Sequence, residues 1–540
     1  MTSPTTAPAD DTVSSARRGE VLKALTGLLL ALFVAMTSST IVSVALPRII
    51  GSLNGTQTQY TWVVTATLLA ATASTPIWGK LSDLYSKKRL TQVAISVFLV
   101  GSLVSGFAQE PGQLIAARAV QGLGVGGLQA LVQAVIAAMI PPRERGRYNG
   151  VLGAVMALAT VSGPLLGGLI TDVSWLGWRW CFFLGVPFSA VALVVLHRTL
   201  DLPVVRGRAE VRVDYPGAAL VGTGVSILLI WVSFVDGSFG WLSWQTAVLA
   251  GSALAILTVA VWWESRAAEP IVPLRILRQP TPALAIVASL AVGMAMFGGA
   301  VFLGQYFQVA RGYDPTAAGL MMVPMMAGTL VASTVSGMLV SRTGRTKPFI
   351  VAGTVVLVTG FGVLSTLGPN TPLPVVFGGL LLVGTGVGLS MQNLVLAVQN
   401  TVALRDVGAA SASVAFFRSL GGTTGIAVLG AVLDRTVESD IAAGLAEAGV
   451  PDPATAGTSN LNLAELPEPV RDLVRTAYGD ATGDLFLIST AIAVVGVLAA
   501  LALKPADLRT SLDLDPDGTG APGATDTDPD GDTTAPPVRG

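Results

Sequence analysis

The sequence predicts an all-α integral membrane protein with fourteen spanning helices. Hydrophobic residues make up 52% of the 540 residues, charged residues make up 12%, and the mean hydropathy is +0.67. Soluble domains carry about 25% charged residues, so this composition excludes a soluble protein. Apolar runs of roughly 20 residues recur along the chain, and each is long enough to cross a bilayer as a helix.

Fourteen apolar segments are the predicted spans. They cover residues 22–46, 59–79, 91–109, 112–140, 150–171, 180–198, 216–235, 245–263, 283–308, 317–340, 349–367, 374–398, 408–433 and 483–503. An even number of spans places both termini on one side of the membrane. This topology leaves 24 of the 32 Lys and Arg residues on the side of the termini and 6 on the other. Because short basic loops stay in the cytoplasm, we expect a multi-pass protein of the inner (cytoplasmic) membrane with both termini cytoplasmic.

The spans group into five predicted regions. These are a cytoplasmic tail (1–21), a six-helix bundle (22–199), a two-helix insertion with flanking loops (200–280), a second six-helix bundle (281–503) and a C-terminal tail (504–540). The second bundle includes a Pro- and Ala-rich external loop at residues 434–482. The tail is rich in Asp, Gly, Pro and Thr, which predicts disorder.

A charged hairpin joins the second and third spans, with the sequence GKLSDLYSKKR at residues 79–89. A weaker copy, GMLVSRTGRTK, occupies residues 337–347 and begins 258 residues later (337 minus 79). Two related halves are a common plan for transporters. The offset is longer than a six-helix half and leaves room for two further helices, which favours fourteen spans over twelve.

The hairpin resembles the loop signature G-x-L-x-D-x-x-G-R-K of the major facilitator superfamily, with Ser86 in place of its second glycine and Lys87 in place of its arginine. The resemblance implies a major facilitator fold of 6 + 2 + 6 helices. It also implies that the matching hairpin residues control conformation. These residues are Gly79, Asp83, Lys87 and Lys88. We expect the Asp83 carboxylate to meet helix-end donors or a nearby cation.

The fourth span contains Arg118, Gln121 and Gly122 in the pattern R-x-x-Q-G. This pattern is similar to a superfamily motif that the family links to proton coupling. An arginine inside a membrane is costly unless it has a partner or a water-filled cavity. The resemblance therefore implies that Arg118 is the main fixed charge of the coupling machinery.

The fifth span resembles the antiporter motif G-x-x-x-G-P-x-x-G-G, with Ala159 in place of the first glycine. Its matching residues are Gly163, Pro164, Gly167 and Gly168. A proline bends a helix, and glycines let a neighbouring backbone approach closely. The motif favours export over import.

Residues 38–47 are similar to the D-S-T-I-V-N-V-A-L-P motif of fourteen-helix drug:proton antiporters. Ser38 takes the place of the aspartate, and Ser43 takes the place of the asparagine. That aspartate is a usual proton or cation site in the family. The proton-titrating residue of this chain is therefore not assigned by the resemblance.

The predicted substrate cavity is apolar. No Asp or Glu lies near the middle of any predicted span, so we expect a neutral, zwitterionic or weakly ionised substrate rather than a permanent dication. Flexible methionines, aromatic rings, hydroxyls and amides suit a cavity that accepts several shapes. The candidate lining residues are Ser38, Thr40, Gln129, Phe302, Tyr306, Met322, Met325, Asn393 and Phe416.

These features predict a monomeric exporter of small amphiphilic drugs or antibiotics, driven by the proton gradient and working by alternating access. A single Cys and a single His exclude a disulfide framework and a His/Cys metal cluster, and we expect no cofactor, no metal, no nucleic acid partner and no enzymatic activity. One alternative is a facilitator or importer of a nutrient, against which Gly163 and Pro164 argue. The other is a membrane-embedded lipid-linked transferase, which would need clustered catalytic carboxylates or histidines at one membrane face.

Overall fold

The computed structural model describes residues 10–55, 57–172, 177–200, 214–235, 239–267, 269–272, 274–313, 315–403, 406–447 and 468–509. These residues are almost entirely helical. In chain order the helices are α1 (Asp10–Ser52), α2 (Gln57–Leu84), α3 (Lys87–Phe107), α4 (Pro111–Met139), α5 (Pro142–Asp172), α6 (Trp180–Phe183), α7 (Gly185–Thr199), α8 (Tyr215–Phe234), α9 (Trp244–Glu264), α10 (Leu274–Leu277), α11 (Pro280–Gln305), α12 (Pro315–Met321), α13 (Val323–Thr343), α14 (Lys347–Leu364), α15 (Leu373–Gln399), α16 (Val407–Glu447) and α17 (Glu468–Ala502). A π-helical turn, Tyr306–Ala310, continues α11.

Within the described residues, twelve helices are long and apolar enough to cross a membrane. The predicted spans at 59–79 and 150–171 are helical as well, within α2 and α5, but are not among those twelve. A chain in lipid must pair its backbone groups internally, which is why each apolar run forms a helix. The all-α membrane fold is confirmed, and the count of fourteen spans stays a prediction.

The helices form two groups that pack mainly within themselves. The amino-terminal group, α1–α7, has a core that includes Leu28, Phe98 and Leu131. The carboxy-terminal group, α11–α17, has a core in which the rings of Phe361 and Phe486 stack with centroids 5.7 Å apart. One seam separates the two groups, and the candidate site lies along it.

The hairpin formed by α8 and α9 lies across this seam. Its residues Val221 and Val225 belong to an apolar cluster with Ala73 of α2 and Phe416 of α16, so the hairpin packs against both groups. In lipid such contacts depend on close packing, since apolar burial by itself gains little there. The hairpin therefore covers one side of the seam.

Helices extend into the predicted external loop, residues 434–482, whose place outside the membrane stays a prediction. Helix α16 continues to Glu447 and α17 already begins at Glu468, while residues 448–467 lie outside the described part. Both extensions are rich in Ala, Leu, Glu and Arg, which favour helix. The acidic residues scattered through both extensions lower their hydropathy, so a hydropathy profile does not predict these helices.

The predicted tail begins too early, because residues 504–509 dock on the protein; we call them the strap. The Leu508 N–H donates to the carbonyl of Gly344 at 2.8 Å. Leu508 is 5% exposed and packs with Val340 and Leu396. One buried leucine is enough to hold a short segment in place, and composition does not reveal it. Residues 510–540 lie outside the described part.

Candidate functional site

Helices α5 and α13 meet along glycines at one end of the seam, which carries Lys87 and Arg143 and is the predicted cytoplasmic end. A β-carbon at Gly150 would lie 2.7 Å from the backbone oxygen of Ser333, so no larger residue fits there without a shift. Ser333 Oγ donates to the Gly150 carbonyl at 3.1 Å. The contact thus depends on small residues, as close helix packing in membranes does.

Helices α2 and α16 meet in the same way. Gly79 faces Gly408 and Ala412, and a β-carbon at Gly79 would lie 3.0 Å from the Gly408 carbonyl oxygen and closer still to the Ala412 side chain. The two helix ends can approach this closely because Gly79 has no side chain.

The Asp83 carboxylate joins the two helix groups at this point. Oδ1 accepts a hydrogen bond from the Gly408 N–H at 2.9 Å, and Oδ2 accepts one from the Ala409 N–H at 2.8 Å. Both donors belong to the first turn of α16, whose free N–H groups and dipole attract an anion. The sequence predicted helix-end donors or a nearby cation for Asp83, and the first of these is found here.

The lysines of the hairpin lie beside this contact. Lys87 Nζ donates to the Ser82 carbonyl at 2.8 Å, and Lys88 is half-buried. Lys87 therefore holds the turn between α2 and α3 together, just after the carboxylate that contacts α16.

Two ion pairs connect the segment after α9 to both helix groups. Lys80, 5% exposed, pairs with Glu269 at 2.7 Å. Arg275 pairs with Asp406, just before α16, at 2.8 Å. Sequence reasoning missed both pairs, since no local spacing links residues that are 189 and 131 positions apart.

A buried chain of amides crosses the seam nearby. Gln133 of α4 donates from Nε2 to Gln392 Oε1 of α15 at 2.7 Å. Gln399 donates to Gln133 Oε1 at 3.5 Å and to Ser411 Oγ at 2.9 Å. The described hydrogen bonds between the two groups thus close the predicted cytoplasmic half of the seam.

Arg118 lies inside the amino-terminal group, 2% exposed. Its Nη1 donates to Gln121 Oε1, while its Nε has no hydrogen-bond partner among the described residues. Gln121 Nε2 in turn donates to Ser38 Oγ at 3.1 Å and to Ser102 Oγ at 2.7 Å. The motif arginine is therefore linked through one amide to Ser38, the position where the antiporter motif has its aspartate.

Gly122 and Gly163 lie at close contacts between helices of the amino-terminal group. A β-carbon at Gly122 would collide with the Thr67 carbonyl of α2, and one at Gly163 would collide with Thr40 of α1. Thr40 Oγ1 lies within hydrogen-bond distance of the Thr37 carbonyl of α1 (3.0 Å) and of the Ala159 carbonyl of α5 (3.3 Å). Both glycines pack helices of one group rather than the seam.

The remaining antiporter-motif residues follow Gly163 on α5. Gly167 is buried. Pro164 and Gly168 lie within the helix, and the surroundings of their side chains are outside the described residues.

Four predicted lining residues, Phe302, Tyr306, Met322 and Met325, lie in the core of the carboxy-terminal group and are at most 7% exposed. The Tyr306 hydroxyl donates to the Gly368 carbonyl at 2.9 Å. In this conformation these side chains pack against protein.

The other predicted lining residues have separate surroundings. Phe416 packs with the α8–α9 hairpin, and Asn393 Nδ2 donates to the Leu389 carbonyl at 2.7 Å. Gln129 Nε2 lies 3.9 Å from Met36 Sδ. The described conformation does not gather the predicted set on one surface, and the binding role of these residues stays a prediction.

The glycine contact between α5 and α13 was also missed. Its signal was present in the sequence, because Gly146 and Gly150 have the small-xxx-small spacing of close helix pairs. The spacing recurs too often in apolar helices to name the partner helix.

Comparisons with known proteins agree with this architecture. Residues 28–426 match the family model of the Major Facilitator Superfamily. The chain is 37% identical to an uncharacterised MFS-type transporter of Mycobacterium tuberculosis, over 97% of this chain and 76% of that protein. It is 34% identical to the multidrug transporter protein MdtP of Bacillus subtilis (76% of this chain, 75% of that one) and 31% identical to the efflux pump dotC of Dothistroma septosporum (90% and 84%).

Solved structures share the fold. The proton:xylose symporter XylE superposes with a TM-score of 0.57 at 13% identity, covering 88% of this chain and 95% of that one. A bacterial homologue of the human lysosomal transporter Spinster, in an inward-facing conformation, gives 0.55 at 15% identity (89% and 97%). At such identities the likeness concerns the fold alone. The relatives are transporters rather than enzymes, and this chain, a multi-pass membrane transporter, belongs to the major facilitator superfamily.

Proposed function

We propose that this protein exports small amphiphilic, drug-like molecules across the cytoplasmic membrane in exchange for protons. The proposal rests on one observation: the contacts that close the predicted cytoplasmic end are of a kind that can break. Two hydrogen bonds from Asp83, glycine surfaces and a short chain of amides hold this end, with no large interlocking side chains at the described glycine contacts. Alternating access requires such a seam, since one helix group must rock against the other.

The direction of transport and the class of substrate rest on relatives and motifs. Two relatives above 30% identity are named a multidrug transporter and an efflux pump. The antiporter-like motif around Gly163 and Pro164 favours export over import of a nutrient. On this reading the termini are cytoplasmic, and the closed conformation is the one in which substrate leaves on the outer side.

Purified full-length protein in liposomes with an imposed pH gradient tests the proposal. We expect concentrative movement of fluorescent aromatic compounds that collapses when a protonophore removes the gradient. The Asp83→Asn variant serves as the transport-deficient comparison. Equal movement with and without a gradient would instead identify a facilitator.

A further inference from the structure

A second buried arginine, Arg418, lies in the carboxy-terminal group. Its side chain is 7% exposed, and its Nη1 is shielded from solvent and has no hydrogen-bond partner among the described residues. The described part of the chain offers the rest of the guanidinium no hydrogen bond and no ion pair. Arg418 follows the start of α16 by eleven residues (418 minus 407), about 16 Å along the helix. That is about half of a 30 Å hydrocarbon layer, so the predicted span 408–433 places the charge near the middle of the membrane.

Arg418 lies at a close contact between α16 and α11. Gly293 of α11 packs against it, since a β-carbon there would collide with the Arg418 carbonyl oxygen and lie 3.0 Å from Arg418 Cγ. One turn further along the same face of α16, Gly422 packs against the ring of Phe297, and a β-carbon at Gly422 would lie 2.9 Å from Phe297 Cγ. Arg418 therefore lies where two helices pack closely, one turn from the contact between Gly422 and Phe297.

An arginine in this position needs a counter-charge. Guanidinium keeps its proton at any physiological pH, and an uncompensated buried charge costs several kcal/mol. Arginines near helix ends avoid this cost by reaching the interface, but Arg418 is far from both ends of α16. Arg118 differs from it, because Gln121 already accepts a hydrogen bond from Arg118.

We propose that Arg418 is the counter-charge for an acidic group on the transported molecule, and that the substrates are amphiphilic organic anions. A guanidinium binds carboxylate or sulfonate oxygens through two parallel hydrogen bonds. The ring of Phe297, which packs against α16 one turn further along, suits the hydrophobic part of such a molecule. This inference rests on the proposed export function and narrows its substrate class from neutral or weakly ionised molecules to organic acids.

Three probes with one ring system test the inference: anthracene-9-carboxylate, 9-anthracenemethanol and 9-anthracenemethylammonium. Fluorescence titration of the purified full chain measures the binding of each. We expect the carboxylate to bind at least about tenfold more tightly than the alcohol, as a hydrogen bond to a charged group allows. The ammonium compound should bind most weakly.

Variants test whether Arg418 causes the preference for the carboxylate probe. Arg418→Gln should remove most of the carboxylate's advantage and leave the affinity for the alcohol unchanged, whereas Arg418→Lys should retain part of it. Arg278→Gln is the matched control, because it removes an exposed arginine from the predicted cytoplasmic surface. If Arg418→Gln does not fold, the affinities of the wild-type protein for the three probes still test the charge preference.

The inference is overturned if the three probes bind equally, if the ammonium compound binds most tightly, or if Arg418→Gln keeps the full preference for the carboxylate. Failure of the export function has a different signature, namely the absence of gradient-driven movement for every compound. Gradient-driven movement without any preference for acids would leave the export function standing and remove only the anion inference.

Discussion

At the scale of single residues, Asp83 joins the two helix groups through charge. In the native protein, both carboxylate oxygens of Asp83 accept hydrogen bonds from backbone N–H groups in the first turn of α16. Asparagine has the same shape but places a neutral amide there. Each charge-assisted hydrogen bond contributes about 1.5–3 kcal/mol. We expect Asp83→Asn to express and insert normally but to lose at least about tenfold in transport rate, since 1.4 kcal/mol corresponds to a factor of ten.

The matched control for Asp83 is Glu438→Gln, which removes an exposed carboxylate further along α16. Uptake in proteoliposomes is measured for both variants at equal protein density. Wild-type rates in Asp83→Asn would exclude this residue from the mechanism.

Arg118 offers a second prediction at this scale. Its guanidinium is buried beside Gln121, and Gln121 contacts Ser38, so a change in this network reaches α1 and α4 together. We expect Arg118→Ala to bind the fluorescent substrate normally and to lose gradient-driven accumulation. If the role is only to bridge helices, binding and folding fail together, and Arg118→Lys restores both. Intact accumulation in Arg118→Ala contradicts the coupling role.

The contacts of single residues could be predicted from the sequence where a local motif determines them, and not where they depend on distant parts of the chain. The hairpin motif predicted helix-end donors for Asp83, because a carboxylate near a helix end has few other ways to be satisfied. The ion pair between Lys80 and Glu269 was not predictable, since it depends on how the segment after α9 packs. Arg418 was visible as a charge within a span, but its lack of a partner among the described residues becomes evident only in three dimensions.

At the scale of elements, the strap connects both helix groups at the predicted cytoplasmic end. The Arg143 N–H of α5 donates to the Arg509 carbonyl at 3.0 Å, while the Arg509 N–H donates to Oδ1 of Asn400, directly after α15, at 3.2 Å. Burial of Leu508 adds about 1.5–3 kcal/mol. We expect a chain that ends at Leu503 to populate a state open at this end more often than the full chain does.

Cysteine accessibility measures this opening. Ser333→Cys places a thiol at the buried contact between α5 and α13, and Cys181→Ser removes the native thiol. Maleimide labelling should be several-fold faster in the chain that ends at Leu503. The chain that ends at Arg509 keeps the strap and is the control. Equal labelling of both chains would show that the strap does not hold this end closed.

Hydropathy predicted the helices well, because in lipid an apolar run of sufficient length has no structure available other than a helix. It did not predict the continuation of α16 to Glu447 or of α17 back to Glu468, within the predicted external loop. There, helix propensity and contacts with neighbouring helices decide the structure, and neither appears in a hydropathy profile.

At the scale of the whole molecule, acidic and basic side chains are distributed differently between the helix ends, the surface and the interior. Asp83 and Glu264 lie near helix ends, and the acidic groups further inside α16 and α17 (Asp434, Asp480 and Asp484) are exposed, whereas Arg118 and Arg418 are buried. The interior thus carries positive charge without a matching carboxylate among the described residues. A permanent dication entering it would lose its hydration and meet two like charges.

We therefore expect permanent dications to be poor substrates. Ethidium and propidium share one ring system and carry one and two positive charges, so they form a matched pair. In inside-out vesicles with an imposed pH gradient, propidium should move at the rate of protein-free vesicles, and ethidium should move more slowly than a neutral aromatic compound of similar size. Gradient-driven propidium transport faster than that of the neutral compound would contradict this account of the interior, because no described carboxylate is available there to balance the second charge.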